Sequence, residues 1–331
     1  MTVIDNPTAR QIEVLDSMQG FVGETMPLVP VDESWQPSDF LPDLRNDDWV
    51  EQLRSFRGPA NELSDEVLVV LVADMVTEEA LPSYAVSLNL LARDTEGASP
   101  APWARWTRGW TAEENRHGDL LNAYLRLTGR VNMRSIETTI HHLLSSGFEP
   151  RAYPDLYGGL VYTAFQERAT KVSHANVGKL AGAAGDATLQ RICQKIAADE
   201  ARHESFYTKM MGRVFELDPE AALETCRTLL RRVIAMPGRK MYDGQDPDLF
   251  EHFAAVAQRL GVYTVTDYAS IIEHLVKTWG IASLVVSGKA ARAQDYLCGL
   301  AGQYRKLAES VSQNLANAEK VPFSWIDGRK A

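Results

Sequence analysis

Two short sequences, EENRH at residues 113–117 and DEARH at residues 199–203, decide the fold of this 331-residue chain. Each places a glutamate three residues before a histidine, and an acidic residue directly before that glutamate. In a helix, residues three apart lie on one face, one turn from each other. Each stretch therefore presents a carboxylate beside an imidazole. One such pair is common as a surface hydrogen bond, so the repetition of the pattern is the informative feature.

Two further glutamates extend the repetition. Glu78 lies 36 residues before Glu114, and Glu167 lies 33 residues before Glu200. The order glutamate, ExxH, glutamate, ExxH falls on four segments with helical patterns, which predicts a helical hairpin that occurs twice. A glutamate from each of two helices and an ExxH pair from each of two others is the ligand set of the di-iron carboxylate bundles. We therefore predict an all-α helix bundle with additional helices after the core.

This set of side chains suits a pair of metal ions. Four carboxylates and two imidazoles can hold two divalent cations about 3.5–4 Å apart, and oxygen with imidazole donors suits iron or manganese. Without metal, four buried acids would repel one another. Apolar neighbours such as Met75, Phe165 and Ile196 argue against the alternative of solvated surface acids. The predicted ligands are Glu78, Glu114, His117, Glu167, Glu200 and His203.

The acidic residue before each ExxH glutamate is a candidate support for a ligand. A metal-bound histidine usually donates its second N–H to a carboxylate. We expect Asp199 to accept from His117 and Glu113 to accept from His203. The alternative for both is a solvated acid or an ion pair with a neighbouring arginine, Arg116 or Arg202.

We predict structural roles, not metal binding, for the remaining histidines and for three tryptophans of one long helix. The spacing of the other histidines matches no ligand pattern, so we expect surface or structural positions for His141, His142, His174, His252 and His274. Trp103, Trp106 and Trp110 follow helical spacing, which favours a place in the core over a redox path.

The composition excludes several classes of protein. The net charge of −10 argues against general nucleic-acid binding, which needs a basic face. The three cysteines form no CxxC motif, so neither a disulfide framework nor a zinc ribbon is expected. No uncharged run approaches the roughly 18 residues of a membrane span, and the first residues lack the pattern of a leader. We expect a protein of the cytoplasm, with the mature form of a plastid stromal protein as the alternative.

The hydropathy pattern divides the chain into an arm and one helical domain. Residues 1–60, which contain the proline-rich stretch WQPSDFLPD, are predicted to be an irregular N-terminal arm. Residues 61–331 are predicted to form a single domain. The helices are expected at 65–93 with a kink at Pro82, 103–129, 134–147, 160–183, 187–216, 219–235, 247–259, 265–287 and 290–317.

The sequence resembles a known family over residues 35 to 327. The segments TEEALPSY, TAEENRHGDLLNAYL, YTAFQERATKVSHAN, IAADEARHESFYTKM and FAAVAQRLGVYT match the soluble acyl-acyl carrier protein desaturases of the stearoyl type and their bacterial relatives. The resemblance implies a ferritin-like four-helix di-iron bundle in a homodimer, with two Fe ions per chain. It also implies dioxygen- and ferredoxin-dependent insertion of a cis double bond into an acyl chain on acyl carrier protein, by default at Δ9 of a C16 or C18 chain.

The resemblance also assigns roles to single residues. It implies that Glu114 and Glu200 bridge the two irons and that Glu78 and Glu167 are terminal ligands. Thr170, one turn after Glu167, matches a threonine beside the oxygen-binding face, although a helical threonine also commonly bonds a backbone carbonyl. Three residues match a hydrogen-bonded chain to one iron, an implied electron route: Trp35, Asp199 and His117.

The acyl pocket departs from the plant pattern. The resemblance places Ser87 and Leu90 where plant chains have methionine and threonine, and keeps Leu91. Across the pocket it places Pro150, Ala152, Gly159 and Leu160, with Ala152 and Leu160 in place of threonine and phenylalanine. Serine in place of methionine adds room, so the sequence leaves the chain length and the double-bond position open.

A basic stretch is the candidate docking patch for the carrier protein. Acyl carrier protein and ferredoxin are acidic, so an acidic enzyme needs a local basic patch to attract them. The stretch CRTLLRRVIAMPGRK supplies Arg227, Arg231, Arg232, Arg239 and Lys240. The alternative is a solvated helix face.

Two other functions share the predicted ligands. A related di-iron hydroxylase or N-oxygenase, acting on a carrier-bound specialised metabolite, begins with the same hydrogen abstraction. Iron storage in a bundle of this kind is disfavoured by the additional helices after residue 217, because storage proteins are shorter and need a shell-forming surface.

Overall fold

The protein is described by a computed structural model that covers residues 8–150, 152, 155–315 and 319–331. These residues form helices and no strand, apart from one isolated bridge between Pro322 and Lys330. The prediction of an all-α bundle is confirmed. The helices are α1 (Ala9–Ser17), α2 (Gln19–Thr25), α3 (Trp49–Ala60), α4 (Asp65–Glu78), α5 (Leu81–Ala92), α6 (Pro102–Thr128), α7 (Met133–Ser146), α8 (Leu156–Ala183), α9 (Ala187–Leu217), α10 (Pro219–Leu230), α11 (Leu249–Arg259), α12 (Val265–Thr278) and α13 (Gly288–Leu315).

Four long helices, α4, α6, α8 and α9, form the core of the bundle. Helix α8 packs along α9 and against α4, and α6 packs against α4 and α9. Helix α4 is buried on all sides, because every residue from 67 to 73 is apolar and buried. Gly118 on α6 permits a close approach to α4, since an added Cβ would lie only 3.4 Å from the backbone nitrogen of Glu79.

Capping side chains fix where the core helices begin and end. Ser64 and Asp155 accept the backbone N–H groups of Val67 and Gly158, which starts α4 and α8. Asp186 caps α9 in the same way, and its other oxygen accepts the hydroxyl of Tyr124 from α6 at 2.5 Å. Helix α6 ends at Thr128 and is closed, as predicted, by Gly129, which takes the left-handed conformation.

The prediction that residues 1–60 are irregular is wrong for much of this segment. Helices α1, α2 and α3 lie within it, and the stretch between α2 and α3 carries only short 3₁₀ turns. The spacing of buried residues explains α1 and α2, because Gln11, Val14, Leu15, Met18 and Val22 recur at helical intervals and face the bundle. The division into an arm and residues 61–331, within a single domain overall, stays a prediction.

Three predicted helices end earlier than expected. The 65–93 segment is divided at residues 79–80, and Pro82 stands in the first turn of α5, where its missing N–H is harmless. Helix α12 ends at Thr278 instead of residue 287, because Gly280 takes the left-handed conformation. Helix α10 ends at Leu230, and residues 231–236 run in a non-helical connection.

Helices α10 to α13 and the final residues cover the core. Helix α13 packs on α10 and α12, and α12 packs on α8. Trp325 is fully buried, and its indole N–H donates to the Thr139 hydroxyl at 2.9 Å. None of the helices in the described ranges is both long enough and apolar enough to cross a bilayer.

Candidate metal centre and adjoining cavities

The six predicted ligands meet inside the four-helix core. One buried group contains Glu78, Glu114, His117 and Glu200, and a second contains Glu114, Glu167, Glu200 and His203. Within each group the potential donor atoms lie within 4.8 Å of one another. Glu114 and Glu200 belong to both groups, so their carboxylates lie between the two. The composition is that of a site for two metal ions.

The inward-facing atoms of this cluster fit a bound cation. Buried polar atoms are nearly always hydrogen-bonded, yet five in this cluster form no well-oriented hydrogen bond among the described residues, although they face one another closely, as His203 Nδ1 and Glu114 Oε1 do at 2.7 Å. Each belongs to a predicted ligand, and both histidines contribute their Nδ1 atoms. The five atoms are Glu114 Oε1, His117 Nδ1, Glu167 Oε2, Glu200 Oε1 and His203 Nδ1. Metal coordination would satisfy all of them.

The pKa values of the buried glutamates also fit a site that binds cations. Burial raises the pKa of Glu78 to about 7, and the negative charge of Glu200 adds to this effect. Burial also raises the pKa of Glu167 well above its usual range, with Glu114 and Glu200 as the nearby charges. The metal-free cluster therefore retains protons that two divalent cations would replace.

The outer nitrogen of each histidine faces a carboxylate. His203 Nε2 lies 2.8 Å from Glu113 Oε2, and His117 Nε2 lies 3.4 Å from Asp199 Oδ2. The ion pairs considered as alternatives are also present, since Arg202 donates to Glu113 at 3.0 Å and to Asp199 at 2.7 Å. One guanidinium thus joins the two carboxylates that face the histidines.

A strap from the N-terminal segment, residues 27–35, closes over these carboxylates. The backbone N–H of Val29 donates to Glu113 at 3.2 Å, and the indole N–H of Trp35 donates to Asp199 at 2.7 Å. The Trp35 ring lies parallel to the imidazole of His117, with ring centroids 6.1 Å apart. The predicted set Trp35, Asp199 and His117 is therefore brought together.

Gly109 on α6 has no side chain, which lets this strap pack closely against the helix. Leu28 packs on Gly109 so closely that a Cβ there would stand 2.3 Å from Leu28 Cδ1.

His174 is a part of the site that the sequence interpretation missed. It is buried, and its Nε2 lies 2.8 Å from Glu78 Oε1. The signal was present in the sequence, because His174 follows Glu167 by seven residues and so shares its helical face. Trp110 is in the core as predicted, and it also donates its indole N–H to Glu167 at 3.0 Å.

An apolar cavity adjoins the metal ligands between α5 and α8. Five of the seven predicted pocket residues line it, whereas Leu91 and Leu160 are buried and do not reach its wall. Leu91 instead supports the wall, 3.8 Å from where a Cβ of Gly159 would lie. The five lining residues are Ser87, Leu90, Pro150, Ala152 and Gly159.

A second apolar cavity, of about 280 Å³, lies on the other side of Glu78. The two cavities share Thr77, Glu78 and Thr170 in their walls. Thr170 also bonds backbone carbonyls of its own helix, those of Gln166 and Glu167, both at 3.1 Å. The second cavity opens between two exposed apolar residues of its lining, Val233 and Leu307, which are 58% and 49% exposed.

The basic residues of the predicted docking patch lie in two places. Arg227 is in the last turn of α10, and Arg231 and Arg232 follow it, exposed, directly before Val233 at the cavity mouth. Arg239 and Lys240 belong to the next 3₁₀ turn, and Lys240 donates to the carbonyl groups of Ser146 and Gly147 at the end of α7.

Comparison with known proteins places the chain in a family. A family model described as fatty acid desaturase matches residues 10–327. The stearoyl-[acyl-carrier-protein] 9-desaturase 1, chloroplastic, of Arabidopsis thaliana is 51% identical over 327 residues, which cover 97% of this chain and 83% of that protein. The acyl-[acyl-carrier-protein] 6-desaturase of Thunbergia alata is 50% identical over 323 residues, which cover 96% of this chain and 84% of that protein.

A solved structure shares the fold. The X-ray structure of the putative acyl-ACP desaturase DesA2 from Mycobacterium tuberculosis H37Rv aligns with a TM-score of 0.52 at 18% identity, covering 82% of this chain and 96% of that chain. At this identity the likeness concerns the ferritin-like fold alone. The family match over nearly the whole chain and the relatives at half identity lead to one conclusion: the chain belongs to the acyl-[acyl-carrier-protein] desaturase family.

Proposed function

We propose that this protein inserts a cis double bond into a saturated acyl chain carried by acyl carrier protein, as a step of fatty acid biosynthesis. The names of the relatives at half identity support the reaction and the carrier. The observation that carries the proposal is that four carboxylates of the buried ligand cluster line one apolar cavity and that one of them, Glu78, also lines the second. A methylene chain that passes from one cavity to the other must run beside Glu78 and Thr170.

We propose iron as the metal. Carboxylate and imidazole donors suit iron, and the charges of four carboxylates match those of two divalent ions. Two bound Fe ions would supply the redox chemistry that reduces dioxygen to water and takes two hydrogens from adjacent methylenes. The chain's own contribution is to orient the donors: Glu113 and Asp199 accept the outer N–H groups of His203 and His117, which turns both Nδ1 atoms inward.

The two cavities together form the proposed acyl tunnel. Its walls are almost entirely apolar, and it bends where Thr77, Glu78 and Thr170 are shared. The first cavity, lined by Ser87 and Ala152, would take the methyl end of the chain. Burial on all sides of the ligands keeps water from the reacting carbons and fixes the chain near them.

The double-bond position is not decided by overall identity, since a 9-desaturase and a 6-desaturase match this chain equally well. We keep Δ9 on a C16 or C18 chain as the proposed reaction. The relevant determinants are the residues that line the tunnel.

The mouth of the tunnel is the proposed docking place of the carrier protein. Arg231 and Arg232 precede Val233, which borders the opening. An acidic carrier bound there would deliver its acyl group directly into the second cavity. Reversal of both arginines to glutamate is expected to raise the KM for the carrier substrate at low salt, with a smaller effect at high salt. The matched control reverses two other exposed arginines that line neither cavity, Arg45 and Arg54, to glutamate. Equal KM values for the two double variants would contradict the docking proposal.

The remaining partners are also proposals. We propose reduced ferredoxin as the electron donor, with Trp35, Asp199 and His117 as the route to the metals, because the three are in contact. We further propose a homodimer, which light scattering of the purified protein tests. The cytoplasm is the proposed location, with the plastid stroma as the alternative suggested by the chloroplastic relatives.

Turnover of palmitoyl- and stearoyl-carrier protein tests the function. The assay contains ferredoxin, its reductase, NADPH and air, and products are identified by mass spectrometry after dimethyl disulfide addition. Loss of two hydrogens supports the desaturase, and the adduct gives the bond position. A gain of one oxygen would instead support a hydroxylase, and an unchanged substrate with iron loaded and reducible would contradict desaturation of these chains. Protein stripped of metal is the control.

A further inference from the structure

The second cavity contains one hydroxyl group that nothing in the described chain satisfies. Tyr263 lines this cavity, and its hydroxyl oxygen is buried without a hydrogen-bond partner among the described residues. Other hydroxyl groups of the same wall are occupied, since Thr264 donates to Asp267 at 2.6 Å and Tyr268 accepts the backbone N–H of Ile234 at 3.0 Å. A buried hydroxyl without a partner is unfavourable unless a ligand completes it.

This hydroxyl is suited to donate a hydrogen bond. Burial raises the pKa of Tyr263 well above its usual value, so the group keeps its proton. The rest of the cavity wall is mostly apolar, which would strengthen a hydrogen bond formed there. The complementary ligand atom is an uncharged acceptor, such as a carbonyl oxygen, at the end of an otherwise apolar chain.

The position of Tyr263 along the bundle fits the head of an acyl chain. The neighbouring carbonyl of Val262 accepts the side-chain N–H of Asn176 at 3.0 Å. Asn176 follows Glu167 by nine residues on α8, which corresponds to about 13 Å along the helix. With carbon–carbon bonds of about 1.5 Å, an extended chain of nine carbons spans about 10 Å. A carbonyl at the level of Tyr263 therefore places the ninth carbon near the level of Glu167 and Thr170.

We propose that the Tyr263 hydroxyl donates to the thioester carbonyl of the carrier-bound acyl chain and so sets how many carbons separate that carbonyl from the metal centre. This inference rests on the proposed function and adds to it a determinant of the double-bond position. The thioester oxygen is the one acceptor that a saturated acyl group offers, because every other carbon of the chain is a methylene or the terminal methyl.

The first test is the product pattern of Tyr263→Phe, which removes the hydroxyl and keeps the ring. We expect the variant to spread the double bond over neighbouring positions, one or two carbons from that of the unmodified protein, because the chain loses its fixed end. The inference would be overturned if the variant made a single product whose double bond has the same position as in the product of the unmodified protein. If the unmodified protein makes no alkene at all, the proposed function fails and the second test alone decides the role of Tyr263.

The second test measures binding without turnover. Metal-loaded protein, without any electron donor and so unable to turn over, is titrated with stearoyl-carrier protein and with a thioether analogue that lacks the carbonyl oxygen. The unmodified protein should bind the thioether about 3- to 10-fold more weakly, as expected for one hydrogen bond, whereas Tyr263→Phe should bind the two alike. Equal affinities in the unmodified protein would show that the hydroxyl bonds elsewhere, for example to an amide of the carrier's prosthetic arm, and would overturn the inference. Tyr242→Phe, on a partly exposed tyrosine outside the cavity, is the matched control.

Discussion

Gly159 on α8 offers a direct test of the proposed acyl tunnel. It lines the first cavity, together with Ser87 and Ala152, and an added Cβ would meet its nearest neighbour, Leu91 Cδ2, at 3.8 Å, an ordinary contact distance. Gly159→Ala should therefore fold without strain. Alanine is favoured over glycine inside a helix by about 0.5–1 kcal/mol, so the free energy of unfolding should rise by up to that amount.

The same methyl group should shorten the tunnel. It takes roughly the space of one methylene of the substrate, and one buried methylene contributes about 0.8 kcal/mol. The kcat/KM for the longest accepted chain, relative to a chain two carbons shorter, should fall about 4-fold. Gly159→Leu adds four carbons and should lower this ratio by roughly 200-fold, about 3 kcal/mol.

The assay is a competition between acyl-carrier substrates of different length, with products separated by chain length, alongside denaturant unfolding. Gly182→Ala is the matched control on the same helix, because its Cβ would meet the flexible end of Gln190, away from the cavity. The reasoning is refuted if Gly159→Ala leaves the chain-length ratio unchanged, or if Gly182→Ala shifts it equally.

Three further predictions concern the metal centre. Gly109→Ala should push Leu28 aside, loosen the strap and speed metal loss to a chelator, and adding Leu28→Ala should restore the slower rate. In metal-free protein the pKa of Glu78 is raised to about 7, and the pKa of Glu167 is also raised. The folded protein therefore holds these protons more tightly than the unfolded chain, and the free energy of unfolding should decrease as the pH rises from about 4.5 towards 7. The Tm of metal-free protein should thus fall over this interval, and the Tm gain on adding Fe²⁺ without oxygen should grow; a rising Tm would contradict the assignment. Trp35→Phe should lower kcat with ferredoxin while metal content and substrate affinity stay unchanged, and an unaltered kcat would argue against the electron route.

The metal ligands could be predicted from the sequence because helical spacing places each glutamate and histidine pair on one helix face. A glutamate and a histidine three residues apart must share a helix face, and two helices with such a pair, together with two that carry one glutamate each, can bury these polar groups by turning them towards one another. The paired carboxylates at Glu113 and Asp199 followed from the chemistry of a metal-bound imidazole, and the structure places each beside the expected histidine.

Contacts between distant segments could not be predicted from the sequence in this way. The strap lies on Glu113 through the backbone N–H of Val29, a group that every residue except proline carries. Helices α1 and α2 were missed because Gln11 and Gly20 interrupt their apolar pattern, although their buried positions recur with helical spacing. Which pocket residues reach the cavity depends on the rotation of α5 and α8, and this leaves Leu91 behind the wall.

Helix α8 carries most of the proposed tunnel on one face. The same face of α8 lines both cavities. The first cavity is lined by Gly159, Thr163, Gln166, Glu167 and Thr170, and the second by Ser173 and His174. From residue 159 to residue 176 the helix rises about 25 Å, close to the roughly 21 Å of an extended 18-carbon chain.

Gly159 and Tyr263 should therefore act independently, since they would contact opposite ends of the substrate and line different cavities. Gly159→Ala should change which chain length is accepted, and Tyr263→Phe should change where the double bond is placed. Effects of distant sites without shared contacts add, so the double variant should show both changes at their separate magnitudes. A chain-length change that depends on Tyr263 would mean that the acyl chain slides as a unit, and that neither end of the tunnel alone fixes its register.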